Sequence, residues 1–201
     1  MKYVIGHGSQ ISSEQLSGIY HLRYRVFCNR LQWDIPAVEL KERDGYDALD
    51  PLFITAVNRA NQVVGCCRIL PTTGPYMLRD TFPSLLGSSP APQADNIWEI
   101  SRFAVDKTPH HGVAFSEVPA TMIAHIVWHA IVNHIDDYVF VTTVGFERLL
   151  KRMGISYERV SGVVQIGIER SVGLMMHVNE PTISAISAFA PWLFKEERRA
   201  A

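Results

Sequence analysis

The stretch IWEISRF, Ile97–Phe103, packs a carboxylate (Glu99), a hydroxyl (Ser101) and a guanidinium (Arg102) into an aromatic and branched run that otherwise reads as a buried β-strand. An ordinary core strand excludes Glu and Arg, because an unpaired charge in the interior is costly. Either the run is an exposed edge or the charges are held there for a task. The rest of the chain offers partners for both charges, which favours the second reading. Strict alternation puts Glu99 and Ser101 on one face and Arg102 on the other. If all three serve one site, the strand must bulge or splay near Ser101.

Outward from this strand, Leu52–Asn58 and Val63–Leu70 are predicted to form a β-hairpin before it, preceded by a short strand at Lys2–Ile5. A helix capped by Ser12 or Ser13 runs to about Cys28, with Leu16, Ile19, Tyr20, Arg23 and Phe27 on one face. Asn29–Pro51 lacks clear periodicity, but Trp33 and Tyr46 indicate that it folds back over something. Met77–Leu86 holds a short helix or two, and Gly87–Asn96 is a surface loop. After the strand come a loop at Asp106–Gly112, a helix from near Ser116, a strand at Tyr138–Thr143 and a helix at Gly145–Arg152 closed by Gly154. A hairpin at Val163–Ile168 and Leu174–Val178 and a helix from about Thr182 complete the chain. Strands interleaved with helices, with hairpins at both ends, predict an α/β fold: a mixed central sheet with helices on both faces.

The 201 residues are 47% hydrophobic and 19% charged, which predicts one ordered domain spanning 1–201 rather than a disordered chain. A formal net charge of -1 gives no global reason to expect nucleic acid. Val118–Ile135 carries no Asp, Glu, Lys or Arg, yet its His, Asn and Pro residues favour a helix buried in a soluble core over a membrane span. Cys28, Cys66 and Cys67 form neither a CxxC pair nor a disulfide framework, and the start has too short an apolar run for a signal peptide; the chain reads as cytoplasmic.

Several constellations are weighed and set aside. His125 and His129 have the zincin spacing, but Ile126 stands where such a site carries its Glu, so no metal is expected. Cys66 and Cys67 lie mid-strand as core thiols, and no GxSxG, Walker or GxGxxG motif is present. Arg148, Lys151 and Arg152, with Lys195, Arg198 and Arg199, make either a solvated face or a dock for an acidic carrier protein. What remains is Arg23, Asp44, Asp47, Arg68, Glu99 and Arg102, with Phe27, Trp33 and Phe103 near them in the pattern. They form either a structural ion-pair network or a pocket for a zwitterionic small molecule.

These residues sit in blocks that occur in order: LRYRVF (Leu22–Phe27), RLQW (Arg30–Trp33), ERDGYD (Glu42–Asp47), GCCRILPTTGPYML (Gly65–Leu78) and WEISRF (Trp98–Phe103), with weaker similarity over Phe140–Ile155. Together they resemble the acyl-homoserine-lactone synthases, the LuxI-type autoinducer synthases. The resemblance implies a three-layer α/β/α fold related to the GCN5-type N-acetyltransferases. It implies acyl transfer from acyl carrier protein to the amine of S-adenosylmethionine, a substrate rather than a cofactor, then lactonisation with release of methylthioadenosine. Neither nucleic acid nor membrane insertion enters that reading. The family's recurring positions match at Arg23, Phe27, Trp33, Asp44, Asp47, Arg68, Glu99 and Arg102. Glu99 is the expected base, Ser101 and Arg102 face the donor, and Arg23, Phe27, Trp33, Asp44, Asp47, Arg68 and Phe103 are assigned to the S-adenosylmethionine side. Met122, Ile123, Phe140 and Thr142 are expected to meet the acyl chain, and a hydroxylic residue matching Thr142 tends to accompany a 3-oxo chain. Arg148, Lys151 and Arg152 are the expected carrier dock. The alternative is a CoA-dependent N-acyltransferase of the GCN5-related type; Asp106–Val113, with only Gly112, departs from the Gly-rich loop that cradles a CoA pyrophosphate.

Overall fold

The structure, a computed structural model, describes residues 1–107 and 117–195. Strand β1 (Lys2–His7) leads to α1 (Ser13–Arg23), whose first turn is capped by the Ser12 hydroxyl accepting from the Gln15 amide. The helix then widens through Tyr24–Arg30, where the Leu31 amide reaches the Val26 carbonyl at 2.9 Å, so it ends at Arg30 rather than Cys28.

The aperiodic stretch that follows contains a small hairpin of β2 (Ala37–Val38) and β3 (Lys41–Glu42). Its turn residues Glu39 and Leu40 both take positive φ. A single 3₁₀ turn at Gly45–Leu49 follows. Next come β4 (Leu52–Val57), β5 (Val63–Pro71), the short α2 (Met77–Asp80), a turn at Pro83–Leu86 and β6 (Ile97–Val105). The chain is completed by α3 (Glu117–Val132), β7 (Asp137–Thr143), α4 (Val144–Arg152), β8 (Tyr157–Arg159), β9 (Val164–Ile166), β10 (Glu169–His177), α5 (Glu180–Phe189) and α6 (Pro191–Lys195). Strand β10 starts at Glu169 rather than Leu174, and β8 is a strand that periodicity did not signal.

The large sheet runs β1-β4-β5-β6-β7-β10-β8, with β9 also on β10. Neighbours are antiparallel except β6 and β7, which are parallel. One face buries Ile54, Cys67 and Ile69 against Met122, Ile123 and Ile126 of α3, with α4 and α5 in the same layer. The opposite face buries Phe53 and Cys66 against Ile19, Leu22, Val26 and Phe27. Further along that side, Tyr76, Leu78 and Leu86 lie over Val139. The sheet is therefore sandwiched between helical layers, as the interleaved pattern implies. Strand β6, which carries Glu99, Ser101 and Arg102, lies at its centre.

Candidate active site

Two departures from regularity in β6 make the site. The first is a bulge. Ser101 pairs with Arg68 and Ala104 with Cys66, so β6 carries one more residue than β5 across that interval. Arg102 sits in it with φ of 52°, a left-handed backbone that a non-glycine residue adopts only at a cost. The bulge cancels the alternation and turns Arg102 to the face that carries Glu99 and Ser101, where Arg68 also lies. The second is a splay. The parallel ladder between β6 and β7 ends at the Glu99–Val139 pair. Beyond it, Ile100–Phe103 and Val141–Thr143 line opposite walls of a cleft of about 460 Å³.

Behind this cleft, and reaching its wall at Arg102, lies an ion network. Glu42 on β3 is 1% exposed and receives Arg23 Nε at 2.5 Å on one oxygen and Arg102 Nη2 at 3.0 Å on the other. Asp47 receives Arg23 Nη1 at 2.8 Å and Arg68 Nη1 at 2.9 Å through the same oxygen. Asp44 is forked by Arg68 and met by Arg102 Nη2 at 3.0 Å. The 3₁₀ turn presents these acids: the Asp44 amide donates to Asp47 and the Tyr46 amide donates to Asp44. Burial opposes ionisation of Asp47, but the Arg23 and Arg68 guanidiniums and the Asp44 amide outweigh it and hold its carboxyl below the usual range. Three guanidiniums thus meet three carboxylates, which makes burial of each charge tolerable.

Glu99 stands outside that balance. Its carboxylate accepts from the Met77 amide at 2.9 Å and the Leu78 amide at 2.6 Å, at the start of α2. Burial pushes its pKa from 4.5 to about 7, against the opposing pull of those two amides and of Arg68 and Arg102. A carboxyl that lines a cleft and titrates near neutrality can take or give a proton there. Ser101 accepts from Arg68 Nε at 3.1 Å. Phe27 and Trp33 stack at 4.9 Å between ring centroids, and the Arg102 guanidinium lies over the Phe27 ring at 5.4 Å.

The sequence-derived set therefore divides. Phe27, Trp33, Glu99, Ser101, Arg102, Phe103 and Thr142 line the cleft. Arg23, Asp44, Asp47 and Arg68 do not; they form the support behind it, with their charges engaged by one another rather than held open for a ligand. Ile123, Phe140 and Thr142 line a second cavity of about 30 Å³ behind the first. Met122 lines neither cavity, because its sulfur is packed against Gly65 beneath α3. Arg148, Lys151 and Arg152 are exposed on α4, and Arg152 reaches the cleft rim. Of Asp106–Val113, residues 108–113 lie outside the described residues, as do Arg198 and Arg199.

Glu42, Phe82 and Phe146 are among the members that sequence reasoning missed. Glu42 lay in the quoted ERDGYD block, but a Glu in a short polar hairpin carries no periodic signal that it is buried. Phe82 and Phe146 both line the cleft and were read as ordinary helix or turn residues. The paired histidines have other tasks: His125 packs against Tyr3 with the rings tilted by 33°, and His129 shares a hydrogen bond with the Tyr138 hydroxyl at 3.0 Å, with burial pushing its pKa down to about 4. Among the described residues no His, Cys, Asp and Glu side chains gather as a metal site, and no helix is long and apolar enough to cross a membrane.

Comparison with known proteins adds an independent line. A family model described as autoinducer synthase matches residues 8–186. The acyl-homoserine-lactone synthase of Pseudomonas aeruginosa is 39% identical over 184 residues, covering 90% of this chain and 92% of that one. The crystal structure of the AHL synthase LasI superposes with a TM-score of 0.88 at 37% identity, over 93% of this chain and 94% of that one. At 19% identity, where likeness speaks for the fold alone, a CoA-dependent acyl-homoserine lactone synthase, BjaI, superposes with a TM-score of 0.80 over 93% of this chain and 89% of that one. A putative N-acetyltransferase from Lactobacillus plantarum shares the fold at 14% identity and a TM-score of 0.59, over 89% of this chain and 98% of that one.

Proposed function

The chain belongs to the autoinducer synthase family of acyl-homoserine-lactone synthases, and on that premise we propose that it takes its acyl group from acyl carrier protein and its amine from S-adenosylmethionine. The observation that carries the chemistry is Glu99: a buried carboxyl in the cleft wall, poised at about 7 and outside the ion network. The ammonium of S-adenosylmethionine gives a proton to Glu99, directly or through a water, and the free amine attacks the thioester carbonyl carbon. Collapse of the tetrahedral intermediate breaks the carbon–sulfur bond and releases the donor thiol. The methionyl carboxylate then displaces methylthioadenosine from the carbon bound to sulfur, closing the lactone; holding those two atoms together is most of that step.

The other residues follow from their positions. Trp33 and Phe27 offer aromatic faces to the sulfonium end. Arg102, fixed by Glu42 and Asp44, faces the reacting carbonyl beside Ser101. The β6 edge beyond Glu99, released from β7, supplies backbone donors for the oxyanion. Arg23, Asp44, Asp47 and Arg68 act as positioning residues behind that edge.

Support for a carrier-protein donor comes from α4, whose exposed Arg148, Lys151 and Arg152 end at the cleft mouth in a chain of net charge -1. The reaction is tested by mass spectrometry of organic extracts from cells expressing the chain: folded protein with donor supply and no acyl-homoserine lactone overturns it. The donor is tested by supplying the same acyl group on carrier protein and on CoA. A higher kcat/KM with CoA replaces the carrier reading with the CoA-dependent one.

A further inference from the structure

The large cleft and the small cavity behind it share a wall of Ile100–Phe103, Val141, Thr142 and Phe146, in which two aromatic rings meet. Phe103 on β6 and Phe146 on α4 lie 4.7 Å apart between centroids, tilted by 58°, and both line both spaces. The two spaces meet where the β6–β7 ladder has ended, and Ile100 on β6 and Thr142 on β7 line both. Beyond the rings, the inner cavity is closed by Ile123, Ile126, Phe140, Leu150 and Met176. Those walls are apolar, and the space, about 30 Å³, is far smaller than the cleft of about 460 Å³ in front of it.

We propose that Phe146 sets the acyl-chain length this enzyme accepts: its ring, braced by Phe103, stops the chain between β6 and β7, so the enzyme selects short acyl groups. The proposal rests on the acyl-transfer reading above. An acyl tail lying in the outer cleft with its thioester near Glu99 grows toward the slot between the strands. Past the rings there is far less room than before them. Each methylene beyond that point forces rings and helix apart, which a close-packed interior resists.

Phe146 is the ring to change. Phe103 follows the strained Arg102 in the bulge, whereas Phe146 sits in the first turn of α4, where Thr143 caps its backbone amide at 3.2 Å whatever the side chain. The readout is the ratio of kcat/KM for successively longer saturated acyl thioesters, on whichever donor the wild type uses, in one enzyme preparation. A general loss of stability does not move that ratio. In the wild type the ratio should fall steeply once the chain passes the rings. In Phe146→Ala it should rise for the longer donors by about fourfold for each methylene that finds room, and the extracted lactones should shift to longer chains. Phe146→Leu should shift in the same direction by less, and stands in if the alanine variant folds poorly. Lactone from the wild type with an unchanged length ratio in the folded variant overturns this proposal alone. No lactone from the wild type overturns the reading beneath it.

Discussion

Glu42 and Arg102 face each other across a buried fork: Arg102 Nη2 lies 3.0 Å from Glu42 Oε1, and Arg102 Nε lies 3.2 Å from both carboxylate oxygens. The same carboxylate holds Arg23 Nε at 2.5 Å, so one acid from a two-residue strand ties the end of α1 to the bulge of β6. Removing the charge leaves two buried guanidiniums short of a partner, which costs about 3–5 kcal/mol. Glu42→Gln should therefore lose about that much stability in urea unfolding. In the fraction that stays folded, kcat should fall more than KM rises, since Arg102 loses its anchor without leaving the cleft wall. A variant of full stability with full turnover would mean that the bulge holds itself.

Glu99 couples stability to pH. Its carboxyl is raised from 4.5 to about 7, so the folded state binds this proton more tightly than the unfolded chain. The stabilisation is fully present below about 4.5 and is lost as pH rises through about 7, an effect of about 3 kcal/mol. Glu99→Gln should flatten that slope, becoming the more stable protein above neutrality by comparison with its standing at low pH. Equal slopes in both proteins would show that another group carries the dependence.

In the proposed mechanism the same ionisation acts on activity with the opposite sense. As a base Glu99 must be deprotonated, so kcat/KM should climb with pH through about 7, and Glu99→Gln should lower kcat by roughly 10²–10⁴ while binding S-adenosylmethionine nearly as well. A parallel loss of binding would assign Glu99 to recognition.

Gly167 offers a test of the aromatic wall. It turns the β9–β10 hairpin with φ of 57°, and a Cβ there would come within 2.8 Å of Trp33 Cδ1 and 3.2 Å of the Leu31 carbonyl. Gly167→Ala combines a left-handed backbone, about 1–2 kcal/mol, with displacement of the Trp33 ring. The tryptophan fluorescence should change and KM for S-adenosylmethionine should rise, with little change at saturating substrate.

The exposed cations of α4 should act on encounter. Replacing Arg148, Lys151 and Arg152 by Ala should raise KM for an acyl carrier donor at low ionic strength, leave kcat near the wild type, and weaken the salt dependence of kcat/KM. An unchanged KM at low salt would move the docking surface elsewhere.

The order of strands and helices was readable because each element states its period along the chain: the Leu52–Leu70 hairpin, the branched run of β6 and α3, uncharged after Glu117, each announce their own burial. Arg23, Arg68, Glu99 and Arg102 stood out for the complementary reason, as charges on faces that water does not reach. Even the break in β6 followed from asking that one strand point Glu99, Ser101 and Arg102 at one place.

Partnership was not readable, because it depends on which groups the chain brings together from far apart. Glu42 looks like any surface Glu until β3 folds beneath α1. Asp44 and Asp47 suit a cationic ligand until Arg23 and Arg68 are seen to occupy them. Whether a carboxyl is held ionised by a guanidinium or left to titrate near neutrality by burial is decided by distances of a few ångströms across the fold. The sequence alone determined the layers and the charged residues set into them. Tertiary packing alone decided that Glu99 is the acid left outside the ion network, and that Phe146 comes to line both the cleft and the space behind it.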